Sequence, residues 1–494
     1  MLLRLPHFSS FRLLLQSFLR SSHNGFAMRK RLTKLEHTFW LAALMMTISA
    51  AAFSLTVKAA EYQTPVRIGL SYGSSAAESV TLSAEGGFSV KVEGYAEEPV
   101  NLDVNELVFS VSDNSLHAAT LFGAEIASAQ ENVKIRIQPI IPEENILFAD
   151  KPYRGEFEIY ANKDGKITVI NLLDLEDYLR GVLPSEVYAS WPMDALKAAA
   201  VAARTYALRS TMSSSHTASG FDLCATTHCQ VYSGQSKEHE RTDQALKETA
   251  GLILKYKNTL ASTPYHSSNG GYTESASAAW GSDASEYPYL TTVFTPYEDY
   301  RNVPNGKWES VILEDELLSY IAPTYLSRLT DGIKDLDYTR ESSGYIESMT
   351  VTDGAGNKLV LKTSGSVRSF FGTLVKSANF DIARAYVPDD TITPVLSVIS
   401  ADGEYDLTGI GGYTYLAADG EHTTNGVKSV LVFDGCGYGH GVGLSQFGSR
   451  CMADAGFSYT EILETYFPGT DLVPLYSESI SQNAENDGAE SAKE

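Results

Sequence analysis

Glu186 lies in a short polar break between two helical patterns in residues 175–210, LEDYLRGVLPSEVYASWPMDALKAAAVAARTYALRS. A carboxylate at such a junction belongs to neither helix and can reach into a groove, which suits a general acid/base. Cleaving a glycosidic bond needs an acid that protonates the departing oxygen. A partly apolar pocket raises a glutamate's pKa enough to keep that proton near neutral pH. Val187, Tyr188 and Trp191 could build such a wall. Hydrolysis usually recruits a second carboxylate, and Glu274 and Asp194 are the acids that folding could bring near. A single glutamate is enough if the attacking group is a hydroxyl of the sugar itself, which closes an internal ring.

His216, Cys224, His228 and Cys229 form a second cluster, H-x7-C-x3-H-C. Two thiolates and two imidazoles are a complete tetrahedral set for zinc, and with all four bound the metal would be structural. The spacing is not that of a zinc finger, and a Cys224–Cys229 disulfide is the competing reading in an oxidising compartment. A third motif is GCGYGHGVGLSQFG at 435–448, with five glycines from Gly435 to Gly443. That density means tight turns or close backbone approach, and the segment lacks the Lys-Ser/Thr of a phosphate loop. His440, between two glycines, either touches a ligand or is satisfied by backbone. Cys436 and Cys451 flank the segment and could be bridged. Lys197 and Arg204, seven apart, share a helix face. They are either a solvated pair or a cationic stripe beside Glu186.

The elements that must position these groups are legible in outline. Asp174 is a good N-cap for the first helix, whose apolar positions are Leu175, Tyr178, Leu179 and Val182 before Pro184 interrupts it. Ser190 is a candidate cap for the second, with Pro192 near its first position and Asp194 in its first turn. Seven alanines between Ala195 and Ala207 give it a smooth surface, so it reads as a buried helix. Upstream, residues 66–70, 79–95 (with a turn at Gly86-Gly87) and 133–142 read as strands. A hairpin at 153–172 turns at Lys163-Asp164-Gly165. Residues 251–290 begin as a strand pair and become a polar loop rich in Tyr, Ser and Gly, long enough to be functional. Helical and strand signals alternate over 309–387, residues 389–425 look like a peripheral insertion, and 427–469 reads as strand, glycine loop and two helices.

The 494 residues carry a net charge of −23. The first 59 hold eight Lys/Arg against one acid, a local +7, which leaves −30 for the rest. Such a body argues against a nucleic-acid partner and tolerates a neutral polysaccharide. A basic run from Met28, a possible true start, precedes nineteen uncharged residues at 39–57 and the small residues Ala59 and Ala60. This pattern predicts a signal peptide or membrane anchor, hence an extracytoplasmic protein, anchored in the membrane or secreted to the cell wall. The expected organisation is a leader (1–60), an N-terminal β-rich part with an insertion (61–150) and a catalytic core (151–310). An α/β region with an insertion (311–426) and a glycine loop with C-terminal helices completing the core (427–476) follow. The last part is a disordered acidic tail (477–494).

Three separated segments resemble the SpoIID/LytB family of bacterial cell-wall proteins, in the family's order. They are YLRGVLPSEVYASWPMDALKAAAVAARTYAL, PYHSSNGGYTES with Trp280-Gly281, and GCGYGHGVGLSQFG with YTEILETYFPGT. The resemblance spans residues 66–475, with insertions near 95–150 and 370–425. It implies an α+β fold of mostly antiparallel sheets with a buried Ala-rich helix bearing the site. It also implies lytic transglycosylase activity on peptidoglycan glycan strands, particularly strands stripped of stem peptides, during sporulation engulfment. Glu186 matches the catalytic glutamate. Lys197, Arg204, His266 and His440 match groove positions, and Ser267, Glu274, Ser445 and Gln446 of the same motifs join them as substrate-binding candidates. His216, Cys224, His228 and Cys229 look like the family's structural zinc site. A cell-wall amidase and a membrane partner of the engulfment machinery are the implied partners. The family also contains amidase enhancers, so a non-catalytic peptidoglycan-binding enhancer is the alternative. The family usually has Arg, Trp and Gly where this chain has Cys436, Tyr438 and Cys451, and two new cysteines together favour a local disulfide.

Overall fold

The hairpin before the helix pair forms the middle of the main sheet. Glu156–Ala161 and Ile167–Asp174 pair antiparallel, and Gly165, at φ +67°, takes the left-handed conformation that the turn requires. In space the seven strands run Leu223–Cys224, Pro65–Ser71, Ile167–Asp174, Glu156–Ala161, Ile135–Pro139, Phe88–Val92 and Val100–Leu102. Only the Leu223–Cys224 edge is parallel to its neighbour. A six-stranded antiparallel sheet built from residues 79–153 supplies a second layer. The computed structural model describes residues 65–475 except 75, 96–97, 389–396, 401–402, 407–412, 418–419 and 425–426. The expected leader and acidic tail lie outside the described residues, as does most of the expected peripheral insertion, within which two short hairpins are described. Among the described residues no helix is long and apolar enough to cross a membrane. The fold is α+β with mostly antiparallel sheets, as expected.

Helix α1 (Leu175–Glu186) starts where Asp174 caps the Glu176 N–H at 2.8 Å. It buries Leu175, Tyr178, Leu179, Val182 and Leu183 against the sheet, each side chain contributing about 1.5–3 kcal/mol relative to exposure. Pro184 does not interrupt it. The helix continues two residues further, because a proline in the last turn costs one backbone bond and the chain then leaves at Val187, whose N–H returns to the Leu183 carbonyl. Glu186 is therefore the last helical residue rather than part of a free break.

Helix α2 (Met193–Met212) is the buried helix expected, but Pro192 occupies its N-cap position and Ser190 makes no cap bond. Its alanines face two cores. Ala195, Ala199, Ala200, Ala203 and Ala207 pack on α1 and the main sheet, and Ala198 and Ala202 pack on Leu254, Ala276, Val442 and Ile462. Small side chains let neighbours crowd in from both directions. Those neighbours include α3 (Glu240–Glu248), Ala276 of α4 (Ala276–Trp280, on which α5, Ser364–Phe371, packs), α6 (Gln446–Asp454) and α7 (Tyr459–Tyr466). A separate core of Trp308, Met349, Phe370, Phe371, Phe380 and Phe433 organises the region after residue 306.

Residues 79–95 do hold two strands around Gly86-Gly87, but Ser79–Ser83 joins the six-stranded sheet and Phe88–Val92 the seven-stranded one. The glycine turn diverts the chain between layers, held by the Gly86 N–H on Glu144 at 2.8 Å.

Candidate active site

Glu186 stands at the C-terminal end of α1 with Leu183, Val187, Ala199, Ala203, Tyr265, Leu444 and Gln446 around it. Its carboxylate accepts from the Val231 N–H at 2.7 Å and from Gln446 Nε2 at 3.2 Å. The Tyr265 hydroxyl is its third partner and itself accepts from Gln230 Nε2 at 3.1 Å. Gln230 in turn accepts from the buried Tyr178 hydroxyl and donates to the Ala203 carbonyl. No cation pairs with Glu186 among the described residues. Burial is the largest influence on its pKa and outweighs the three hydrogen bonds, so the carboxyl is pushed up from its ordinary value. The negative end of the α1 dipole acts in the same direction. Val187 lines the site as expected. Trp191 backs it indirectly, 5.1 Å from the Phe447 ring, while Tyr188 is exposed.

Neither acid named as a second carboxylate comes to Glu186. Asp194 accepts from the Tyr459 N–H at 3.0 Å, at the start of α7. Glu274 is fully buried and bonds the Ser275 N–H at 2.8 Å, and its own N–H donates to the Gly441 carbonyl. Burial raises its pKa to about 7.

Arg204 is not a groove residue. It is completely buried, and its five N–H donors go to Glu176 (Nε at 2.6 Å, Nη2 at 2.9 Å), the Thr249 hydroxyl and the Leu246 and Leu252 carbonyls. Nothing is left for a sugar, and its role is to lock α2 to α1 and α3. Lys197 pairs with Glu248 at 2.5 Å and lies 5.8 Å from the Tyr459 ring centre. The cationic stripe beside Glu186 does not form, because these positions turn toward α3 and α7 while Ala199 and Ala203 face the carboxylate.

The short strands Tyr265–His266 and Leu444–Ser445 pair in parallel, and alternation sends Tyr265 to Glu186 and His266 elsewhere. His266 is buried, with Nδ1 on the Val442 carbonyl at 3.1 Å and its ring 5.4 Å from that of His440. His440 Nδ1 accepts from the Val442 N–H, and Trp280 stands 5.4 Å away. Burial lowers both imidazoles, His440 to about 4. Ser445 is fully buried and caps α6 through the Gly448 N–H, donating to Glu298 at 2.6 Å, so it is a structural residue rather than a substrate contact. The Ser267 carbonyl accepts from the Phe447 N–H. Of the candidates, only Gln446 touches Glu186.

Sequence reasoning missed Gln230 and Glu298, and took in Tyr265 only as part of a loop rich in Tyr. Glu298, almost fully buried, ties Ser268 and the Asn269 N–H to Ser445 and so fastens the loop to α6. No local pattern marks such residues, since their partners lie 27 to 147 positions away.

The Cys/His cluster assembles as expected. Its four ligand atoms lie within 4.8 Å of one another, with Cys229 Sγ 3.3 Å from His216 Nε2 and 3.4 Å from His228 Nδ1, and Cys224 Sγ 3.7 Å from His228 Nδ1. Bond lengths of ~2.0–2.3 Å about a tetrahedral ion put ligands roughly 3.3–3.8 Å apart, so the set fits zinc. Both thiols are free, which removes the disulfide reading. Cys436 and Cys451 are also free, contrary to the bridge expected. Cys436 points toward the Gly270 carbonyl and Cys451 belongs to α6.

Residues 163–256 match the family model described as Stage II sporulation protein, SpoIID. The chain is also 30% identical over 321 residues to an uncharacterized protein of Brachyspira hyodysenteriae, covering 65% of this chain and 72% of that one. The chain belongs to the SpoIID family. It is 34% identical over 316 residues to the amidase enhancer of Bacillus subtilis, covering 60% of this chain but spanning only 40% of that protein's length. To stage II sporulation protein D of Bacillus amyloliquefaciens it is 26% identical over 313 residues, 61% of this chain and 74% of that one. The SpoIID match covers the turn and second strand of the hairpin, both site helices and the Cys/His cluster, whereas the glycine loop and α6 lie downstream of it.

Proposed function

We propose that this SpoIID-family protein is a lytic transglycosylase that cleaves MurNAc–GlcNAc bonds of peptide-stripped peptidoglycan strands during sporulation engulfment. The observation that carries the reading is a glutamate with no cation beside it among the described residues, whose carboxyl is pushed up from its ordinary value by burial. Protonated Glu186 donates to the glycosidic oxygen as the C1–O bond breaks. The resulting carboxylate, held by Val231, Gln446 and Tyr265, takes the proton of the MurNAc 6-hydroxyl as O6 bonds to C1. No water is consumed, so no second carboxylate is needed to activate one. The exposed Tyr188 offers a ring on which a sugar can stack.

His216, Cys224, His228 and Cys229 would hold a structural Zn2+, which supplies a fixed cross-link and no chemistry. The protein would act outside the cytoplasm, tethered or released by its N-terminal segment, with a cell-wall amidase and a membrane component of the engulfment machinery as partners. Mass spectrometry of digested peptide-free glycan tests the reading: 1,6-anhydro ends are expected, and reducing ends would make it a hydrolase.

Similarity to a protein named amidase enhancer favours a second reading, a peptidoglycan-binding enhancer that cuts nothing. Glu186→Gln separates the two, because an enhancer keeps its effect and a transglycosylase loses turnover.

A further inference from the structure

Arg368, on α5, makes no ion pair or hydrogen bond among the described residues, and its Nε is buried without a partner. A half-buried guanidinium left this way is costly, because the lost hydration is replaced by nothing. Its surroundings are specific. One turn earlier on the same helix face, Gly365 lies so close to α4 that a Cβ there would meet the Ala279 carbonyl at 2.4 Å and the Trp280 ring at 3.6 Å. Trp280 reaches the His440 ring, and His440 reaches His266, whose Nε2 is also buried and unpartnered. Trp280 and Tyr438 are 45% and 41% exposed. Arg368 further depresses both imidazoles, so they stay neutral and do not compete with it for an anion. Glu274 bonds the Ser275 N–H through one oxygen, its other oxygen is buried without a partner, and it makes no ion pair with Arg368.

We infer that Arg368, on the helix that packs against Trp280, forms a binding site for the carboxylate of an acidic sugar, the free lactyl group of N-acetylmuramic acid. Exposed rings stack on the sugar face, and a planar guanidinium takes a carboxylate through paired N–H bonds. A stem peptide converts that lactyl carboxylate to an amide and removes the charge. The site would therefore select stripped strands, which rests on the peptidoglycan reading above.

The test measures binding, in the Glu186→Gln background so that nothing is cut. Peptide-free glycan oligosaccharides are compared with the same oligosaccharides after amidation of the lactyl carboxylate, and with strands carrying stem peptides. The parent should prefer the free acid by roughly ten- to hundredfold. Arg368→Ala should abolish that preference while leaving affinity for the amide unchanged, and Arg368→Lys should restore part of it. Equal weakening toward both ligands, or no change toward either, overturns the inference. A preference for peptide-bearing strands lost in Arg368→Ala would assign the site to a peptide carboxylate and overturn it too. Because binding is read without turnover, absence of anhydro products in the parent enzyme would refute the transglycosylase while leaving this result standing. Thermal melts guard against misfolding: with no partner to lose, Arg368→Ala should melt no lower than the parent.

Discussion

The Val231 N–H donates to Glu186 Oε1 at 2.7 Å, two residues beyond Cys229 of the Cys/His cluster. Gln230, between them, bonds the Tyr265 hydroxyl and so reaches the same carboxylate by a second route. The segment that a metal would pin to the sheet edge at Cys224 is thus the segment that orients the proposed acid. Chelation should lower the melting temperature and the activity together, with about one zinc per chain found by elemental analysis beforehand. Activity lost with the melt unchanged would indicate a catalytic metal instead.

Glu186→Gln should reduce turnover by roughly 10²–10⁴-fold without lowering the melting temperature. The sign follows from burial. A carboxyl whose folded pKa is raised binds its proton more tightly in the native state, so stability is greatest at low pH and declines as pH rises through the folded value. The amide lacks that penalty. Activity should fall on the alkaline side as the acid form titrates away, which a pH–rate profile of anhydro-end formation would reveal.

Glu274 allows the same linkage to be measured apart from catalysis. Its folded pKa of about 7 against an ordinary 4.5 predicts that Glu274→Gln gains up to ~3 kcal/mol of stability at pH 8 and nothing at pH 4. Urea unfolding at the two pH values checks this, and an equal gain at both would refute it.

Arg204→Ala should cost about 3–5 kcal/mol, because it leaves Glu176 and two carbonyls without the donors they were built around. Lys197→Ala, which removes a solvated pair with Glu248, should change stability little. Denaturant melts of the two variants distinguish them, and similar losses would contradict the different settings of the two residues.

Ser445→Ala should destabilise by about 1 kcal/mol through loss of the α6 cap and should reduce turnover more than affinity, since Gln446 begins the helix that the cap secures. A loss confined to affinity would return Ser445 to the list of direct substrate contacts.

Much of this architecture was legible beforehand because its signals are local. Alternation and a Lys-Asp-Gly turn predict the central hairpin, Asp174 caps α1, and an alanine-rich run can only be a helix that others approach closely. The spacing of two Cys and two His foreshadowed a cluster that the loop then gathers. What no local pattern contains is direction. Lys197 and Arg204 share a face in the sequence, yet only tertiary packing turned that face to α3, α7 and Glu176 and gave Glu186 the two alanines in its place. The same holds for Cys436 and Cys451, which flank one loop but point to different neighbours. Residue types determined that a glutamate near a helix junction, a set of two Cys and two His and a glycine loop would be present. Packing of partners more than a hundred residues apart, fixed by shape and the need to satisfy buried polar atoms, decided which groups meet.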